Sequence, residues 1–247
     1  MKVLAIGNSF SQDATTFLHQ TAAAQGIALD VVNLYIGGCP LEKHWQNVER
    51  CAEEYTPSYN GLSYNRQVSI QEALTWCEWD AVTLQQASHD SGWMDSYEPF
   101  LTQLTAFVRQ HAPRARILLH ETWAYDSDST HDRFARYQRS QQKMYERLRS
   151  CYHTLAQKHG LELIPCGDVI QALRQLPAFD VHQGGQSLCR DGFHMSLGYG
   201  RYALACVWLR VLCGAEVSRN PYVPFSPETV DTELLQIIRD TAEKLIP

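Results

Sequence analysis

The chain has 247 residues, of which 45% are apolar and 19% charged; that supports a sizeable core and excludes a disordered or low-complexity protein. Its 21 basic and 27 acidic residues leave a net charge of −6, which argues against a nucleic-acid partner because phosphate binding needs a basic face. No apolar run approaches the ~20 residues that cross a bilayer, so no membrane partner is expected.

Strand and helix patterns alternate from the start. Val3–Ile6 is a short apolar run closed by Gly7, and residues 14–25 are helix-prone, with Asp13 as N-cap and Gly26 as stop. Ala28–Tyr35 reads as a strand running into Gly37-Gly38, and Leu41–Glu53 as a helix. Residues 54–68 break the rhythm. There Tyr59-Asn60-Gly61-Leu62 carries the Asn-Gly signal of a two-residue turn, which predicts a hairpin insertion. A helix at 69–77 leads to a strand at Ala81–Gln85, then a helix at 96–111 and a strand at Arg116–His120. A long polar helix is predicted from about 130 to 159, and its arginines (Arg133, Arg136, Arg139, Arg147, Arg149) read as a solvated face. Leu161–Ile164 is a strand, 166–176 a helix, and 197–213 a strongly apolar helix stopped by Gly214. A last amphipathic helix covers about 227–245, within a helical extension over 215–247.

Strands separated by helices imply parallel βαβ units. The expectation is an α/β protein of one domain, 1–247. It would be a three-layer α/β/α sandwich around a five-stranded parallel sheet with the first strand central. Ligands in such folds sit beyond the carboxyl ends of the strands.

Those ends carry Gly7-Asn8-Ser9-Phe10-Ser11, Gly37-Gly38-Cys39, Gln85-Gln86-Ala87-Ser88-His89 and His120-Glu121-Thr122-Trp123, with Arg190-Asp191-Gly192-Phe193-His194 ahead of the apolar helix. These are the parts of an acyl-transfer site. Ser9, between a strand end and a helix start, is a candidate nucleophile or a simple helix cap. Gly38 leaves its backbone N–H open to a substrate oxygen, or serves only as a turn. Asp191 lies three positions before His194. From there it can bond one ring nitrogen, leaving the other to take a proton from Ser9.

The ordered set GNSFS, IGGC and DGFHMSLGYGRYA resembles the SGNH (GDSL-type) hydrolases, in particular a bacterial subset that reads GNSFS rather than GDS. The similarity runs from about residue 2 to 213. It implies a flavodoxin-like sheet and a serine esterase with Ser9 as nucleophile, His194 as base, Asp191 as its orienter and Gly38 as an oxyanion donor. The substrate it implies is a small-molecule ester, with acetyl esters of carbohydrates as the first choice. The family's GxND block is absent, and QQASHDSG stands in its place. Gln86 is then the expected third oxyanion donor, ahead of Ser88 and His89; its neighbour Gln85 points to the other side of the strand and would take the role if the register were shifted. Asn8, in place of the usual aspartate, is expected to be structural.

Other chemistries fit less well. No HExxH occurs, and Asp191 and His194 lack a third ligand nearby, so no metal or other cofactor is expected. GNSFS is not the GxGxxG of a dinucleotide site. Cys39 has no evident base beside it, and none of the eight cysteines forms a CxxC pair. The non-enzyme alternative is an inactive carbohydrate-binding or interaction domain, in which Trp45, Trp93, Trp123 and Tyr125 stack on sugars. Trp123 and Ser88 are the substrate contacts expected at the site itself. The chain opens MKVLAIG, already a strand, so no export leader is expected. A cytoplasmic location with reduced thiols is expected on that basis.

Overall fold

Lys2–Gly7 forms the first strand, β1, and every residue after Lys2 is buried. An aliphatic run without alternation needs cover on both faces. The structure, a computed structural model, describes residues 1–227 and 229–246. After β1 come α1 (Ser9–Thr15), α2 (Leu18–Ala23), β2 (Asp30–Tyr35), α3 (Leu41–Glu49), β3 (Thr56–Tyr59), β4 (Leu62–Ser63), α4 (Ile70–Leu74) and β5 (Ala81–Leu84). Then follow α5 (Phe100–His111), β6 (Arg116–His120), α6 (Gln141–His159), β7 (Glu162–Ile164), α7 (Cys166–Leu173), α8 (Tyr199–Cys213) and α9 (Thr232–Leu245).

The strands form one sheet in the order β4-β3-β2-β1-β5-β6-β7. The five strands expected from the sequence are parallel and flavodoxin-like in order. The sheet nevertheless has seven strands, not five. Segment 54–68 is a hairpin, but its β3 pairs antiparallel with β2, Leu34 against Pro57 and Tyr35 against Thr56. The free edge of β2 offers unpaired N–H and C=O groups, and the hairpin takes them up. Asn60 and Gly61 turn it with φ of 51° and 86°. Asn60 also accepts the Val31 N–H at 2.9 Å, locking the turn to β2.

Strand order reverses at β1. Right-handed crossovers in opposite directions put helices on opposite faces. Helices α3, α4 and α5 pack together, as do α1, α2, α7, α8 and α9. The reversal opens a crevice at the carboxyl end of β1, where Ser9 stands. In α8, Tyr202–Leu209 are all fully buried, and a helix apolar all round needs cover on every side. The C-terminal α9 supplies part of that cover.

Several helix boundaries differ from expectation, three of them substantially. The first helix begins at Ser9 with Asn8 as cap; Asp13 is not a cap but a buried member of α1. The long helix is two pieces. A 3-10 turn at Asp132–Tyr137 is followed by Gln138 and Arg139 at φ 56° and 49°, and Ser140 caps α6. The last helix starts at Thr232, capped by Asp231. Glu228, within its expected range, and Pro247, within the expected extension, lie outside the described residues.

Candidate active site

Asn8 joins three strand ends. Its Oδ1 accepts the Phe10 N–H at 3.0 Å and the Gln85 amide at 2.7 Å, while its own amide donates to the Cys39 carbonyl at 3.1 Å. Aspartate could not make the last bond, having no hydrogen to give when ionised; this is the physical reason for asparagine before the serine. A Cβ on Gly7 would overlap Ser11 Oγ and crowd Gln85, so β1 can meet α1 this closely only at glycine. Ser9 follows at the first turn of α1, where helix N–H groups have no intrahelical acceptor.

The second half of the site is the loop before α8. Asp191 Oδ1 accepts the backbone N–H of His194 at 2.8 Å and of Phe193 at 3.2 Å. Its Oδ2 lies 2.7 Å from His194 Nδ1, and His194 Nε2 lies 2.9 Å from Ser9 Oγ. Burial raises the Asp191 pKa, but hydrogen bonds from the His194 ring and backbone outweigh it, and the carboxyl is held below its ordinary value. The structure thus brings Ser9, His194 and Asp191 into one hydrogen-bonded row.

Two buried residues hold this loop in place. Asp13 is 1% exposed. It takes Arg190 Nη1 at 3.1 Å, Arg201 Nε at 2.8 Å and the Met195 N–H at 2.9 Å. Arg190 also donates to the Met195 carbonyl. Trp123 is fully buried, stacks on Phe10 at 4.1 Å and donates its indole N–H to the Phe193 carbonyl at 2.7 Å. The expectation that Trp123 contacts substrate is therefore corrected, since no face of the ring is free to stack. Tyr125 is fully buried as well.

The cleft at Ser9 holds about 210 Å³ and is walled by Gly38, Ser88, Tyr35, His131 and Phe193. Gly38 is exposed with φ +61°, a conformation that favours glycine, and a Cβ there would meet nothing within 4 Å. Gln86 is not at the cleft, so its expected oxyanion role is corrected too. Its Nε2 is committed to the Ser96 carbonyl at 2.8 Å and hydroxyl at 3.0 Å, and its Oε1 to the N–H groups of Leu41 and Ala87. Gln85 is spent as well, bridging Asn8 and His120. Ser88 does reach the cleft, with its Oγ 2.8 Å from the Tyr125 hydroxyl.

Cys39, beside Gly38, is 2% exposed, and burial pushes its thiol up to about 12. All eight cysteines are free. The sequence reading passed over Asp13 as a partner of the loop, and over Tyr35, His131 and Phe193 as walls of the cleft. The one available signal was the spacing of Asp13, four residues after Ser9, on a helix read as starting later. A more apolar groove of about 390 Å³ lies at the amino ends of β1 and β2 and contains none of these residues. Among the described residues no helix is long and apolar enough to cross a membrane.

Comparison with known proteins adds a family. The profile of a domain of unknown function, DUF4886, matches residues 2–244. No curated protein matches the chain. A crystal structure of a DUF4886 family protein from Bacteroides uniformis is 36% identical, covers 100% of this chain and 94% of its own, and superposes with a TM-score of 0.90. A candidate SGNH hydrolase from Slackia heliotrinireducens is 22% identical over 84% of this chain and 96% of its own, with a TM-score of 0.57. A catalytic mutant of an acetylxylan esterase from Geobacillus stearothermophilus is 14% identical over 86% of this chain and 94% of its own, with a TM-score of 0.57. The last two likenesses establish the SGNH hydrolase fold.

Proposed function

The chain belongs to the DUF4886 family, and from its SGNH fold and site geometry we propose that it is a serine esterase for small acyl esters. The observation that carries this reading is the row Asp191–His194–Ser9, at 2.7 and 2.9 Å, opening into a cleft. Ser9 Oγ attacks the ester carbonyl while His194 Nε2 takes its proton. Asp191 keeps the other ring proton on Nδ1 and stabilises the imidazolium. The backbone N–H groups of Ser9 and Gly38 receive the negative charge on the former carbonyl oxygen. Ser88 supplies the third donor. Either hydroxyl of the Ser88–Tyr125 pair can donate; with Tyr125 as the donor, the serine hydrogen is free to point into the cleft. His194 then protonates the leaving alcohol, and water releases the acyl group from Ser9 by the reverse sequence.

The size of the cleft bears on substrate. About 210 Å³ is below the roughly 300–1,000 Å³ of sites that enclose a drug-sized ligand. It suits an acetyl group with the alcohol reaching outward. A structural neighbour is an acetylxylan esterase, and acetylated carbohydrates are the substrate class we favour.

A fluorophosphonate probe tests the reading. The wild type should be labelled at Ser9, with Ser9→Ala unlabelled, and p-nitrophenyl acetate should be cleaved faster than longer acyl esters. No labelling and no turnover would leave the inactive carbohydrate-binding domain. Labelling with a preference for long acyl chains would overturn the acetyl assignment alone.

A further inference from the structure

We infer that Glu121, His153 and Asp168 form a binding site for one divalent transition-metal cation of the Zn²⁺ class, outside the Ser9 cleft. The three come from different elements. Glu121 directly follows β6, His153 lies on α6, and Asp168 is in the first turn of α7. None of them lines the cleft. Their ligand atoms all lie within 4.8 Å of one another.

The buried carboxylate shows what is missing. Glu121 has no solvent exposure. Its Oε2 accepts the Asp168 N–H at 3.0 Å, whereas its Oε1 has no hydrogen-bond partner. That Oε1 points at His153 Nε2 from 3.7 Å, beyond hydrogen-bond reach. His153 Nε2 lies 3.2 Å from Asp168 Oδ2. A ring nitrogen carries one hydrogen, and Asp168 takes it. No donor among the described residues reaches Glu121 Oε1, and an unmatched buried oxygen is costly. A cation between the three donors satisfies them all.

Geometry and charge agree. Zn²⁺ binds imidazole nitrogen and carboxylate oxygen at about 2.0–2.2 Å, which sets neighbouring donors roughly 3–3.5 Å apart. The observed 3.2 and 3.7 Å to His153 are close to this, and the three ligand atoms, all within 4.8 Å of one another, need to close in by no more than about 1.5 Å. Asp168 Oδ1 is held by the Tyr145 hydroxyl at 2.8 Å and Arg149 Nε at 2.9 Å, which orients Oδ2 toward the cluster. Such outer partners are the usual support of metal ligands. Burial and the neighbouring Asp168 raise the Glu121 pKa well above its ordinary value, and a cation at this place would relieve both effects. His153 and Asp168 are partly exposed, so an ion can enter and water can complete its coordination. Bound there, the ion would pin α6 and α7 to the end of β6.

The test is calorimetric titration of the chelator-treated full chain with Zn²⁺, alongside the absorption spectrum with Co²⁺. The wild type should bind one ion at a nitrogen and oxygen site, without the near-ultraviolet thiolate band that the free cysteines would give. His153→Ala changes a partly exposed side chain and tests the site without touching the core; Glu121→Gln is the second variant. Both should bind at least about 10–100-fold more weakly, the cost of losing even an outer partner. No binding by the wild type, equal binding by folded His153→Ala, or a dominant thiolate band would each overturn the assignment. None of these results depends on esterase activity.

Discussion

Replacing Asp191 by asparagine separates the orienting role of the carboxylate from its part in the loop. The asparagine oxygen can still accept the backbone N–H groups of Phe193 and His194, now at 3.2 and 2.8 Å. Its amide then faces His194 Nδ1, where the carboxylate stood at 2.7 Å. Two donors cannot share that contact, so the ring proton moves to Nε2. There it faces Ser9 Oγ, and the base is blocked. In a buried serine-protease triad this change costs about 10⁴-fold. The Asp191 side chain is 42% exposed, so water can compete for Nδ1 and recover part of the active tautomer. The expected loss in kcat is therefore about 10³–10⁴-fold, or roughly 4–5.5 kcal/mol of barrier. Stability should change by under about 1 kcal/mol, because the backbone acceptors remain. The assay is hydrolysis of p-nitrophenyl acetate beside a thermal melt. A variant that melts like wild type and keeps its turnover within about tenfold would refute the orienting role.

Asp13→Ala should destabilise the protein by about 2–3 kcal/mol in urea melts. This is below the 3–5 kcal/mol of a fully buried pair because Arg190 and Arg201 are 32% and 19% exposed; a loss under about 1 kcal/mol would show that the loop holds without it. Ser88→Ala should lower kcat by ~10²-fold at little change in KM, the usual cost of one oxyanion donor, while Gln86→Ala should leave kcat intact and cost about 2–3 kcal/mol of stability through the backbone groups it strands. The reverse pattern in those two variants would return the role to Gln86. The hydrogen bond from His89, and after it Arg136, holds Asp90 at about 2 against the opposing effect of burial. A pKa lowered on folding gives stability that is complete above the unfolded value near 3.9 and is lost as pH falls toward about 2. Melts across that range should show a slope that Asp90→Asn reduces, and an unchanged slope would remove Asp90 from the account.

The five parallel strands were legible because Val, Ile and Leu runs buried on both faces signal themselves locally, as do Asn60-Gly61 and the stops at Gly160 and Gly214. The residue types of the site were legible for the same reason: Asn8-Ser9 at a strand end and Asp191 three positions before His194 are short-range patterns. That Ser9 and His194 meet across 185 positions is a fact of the sheet and its crossovers alone. The hairpin's place at the edge of β2 depends on pairing between distant strands, which turn chemistry does not specify. The break at Gln138 and Arg139 carries no glycine or proline, so propensity read through it. Asp13 looked like a helix cap because its partners Arg190 and Arg201 come from 177 and 188 residues away. Gln86 and Ser88 stand two positions apart, and the resemblance, which implies a side-chain amide donor, favoured the glutamine. Only the path of the chain after β5, which turns Gln86 into the Ser96 loop and Ser88 toward Tyr125, decides which side chain faces the cleft.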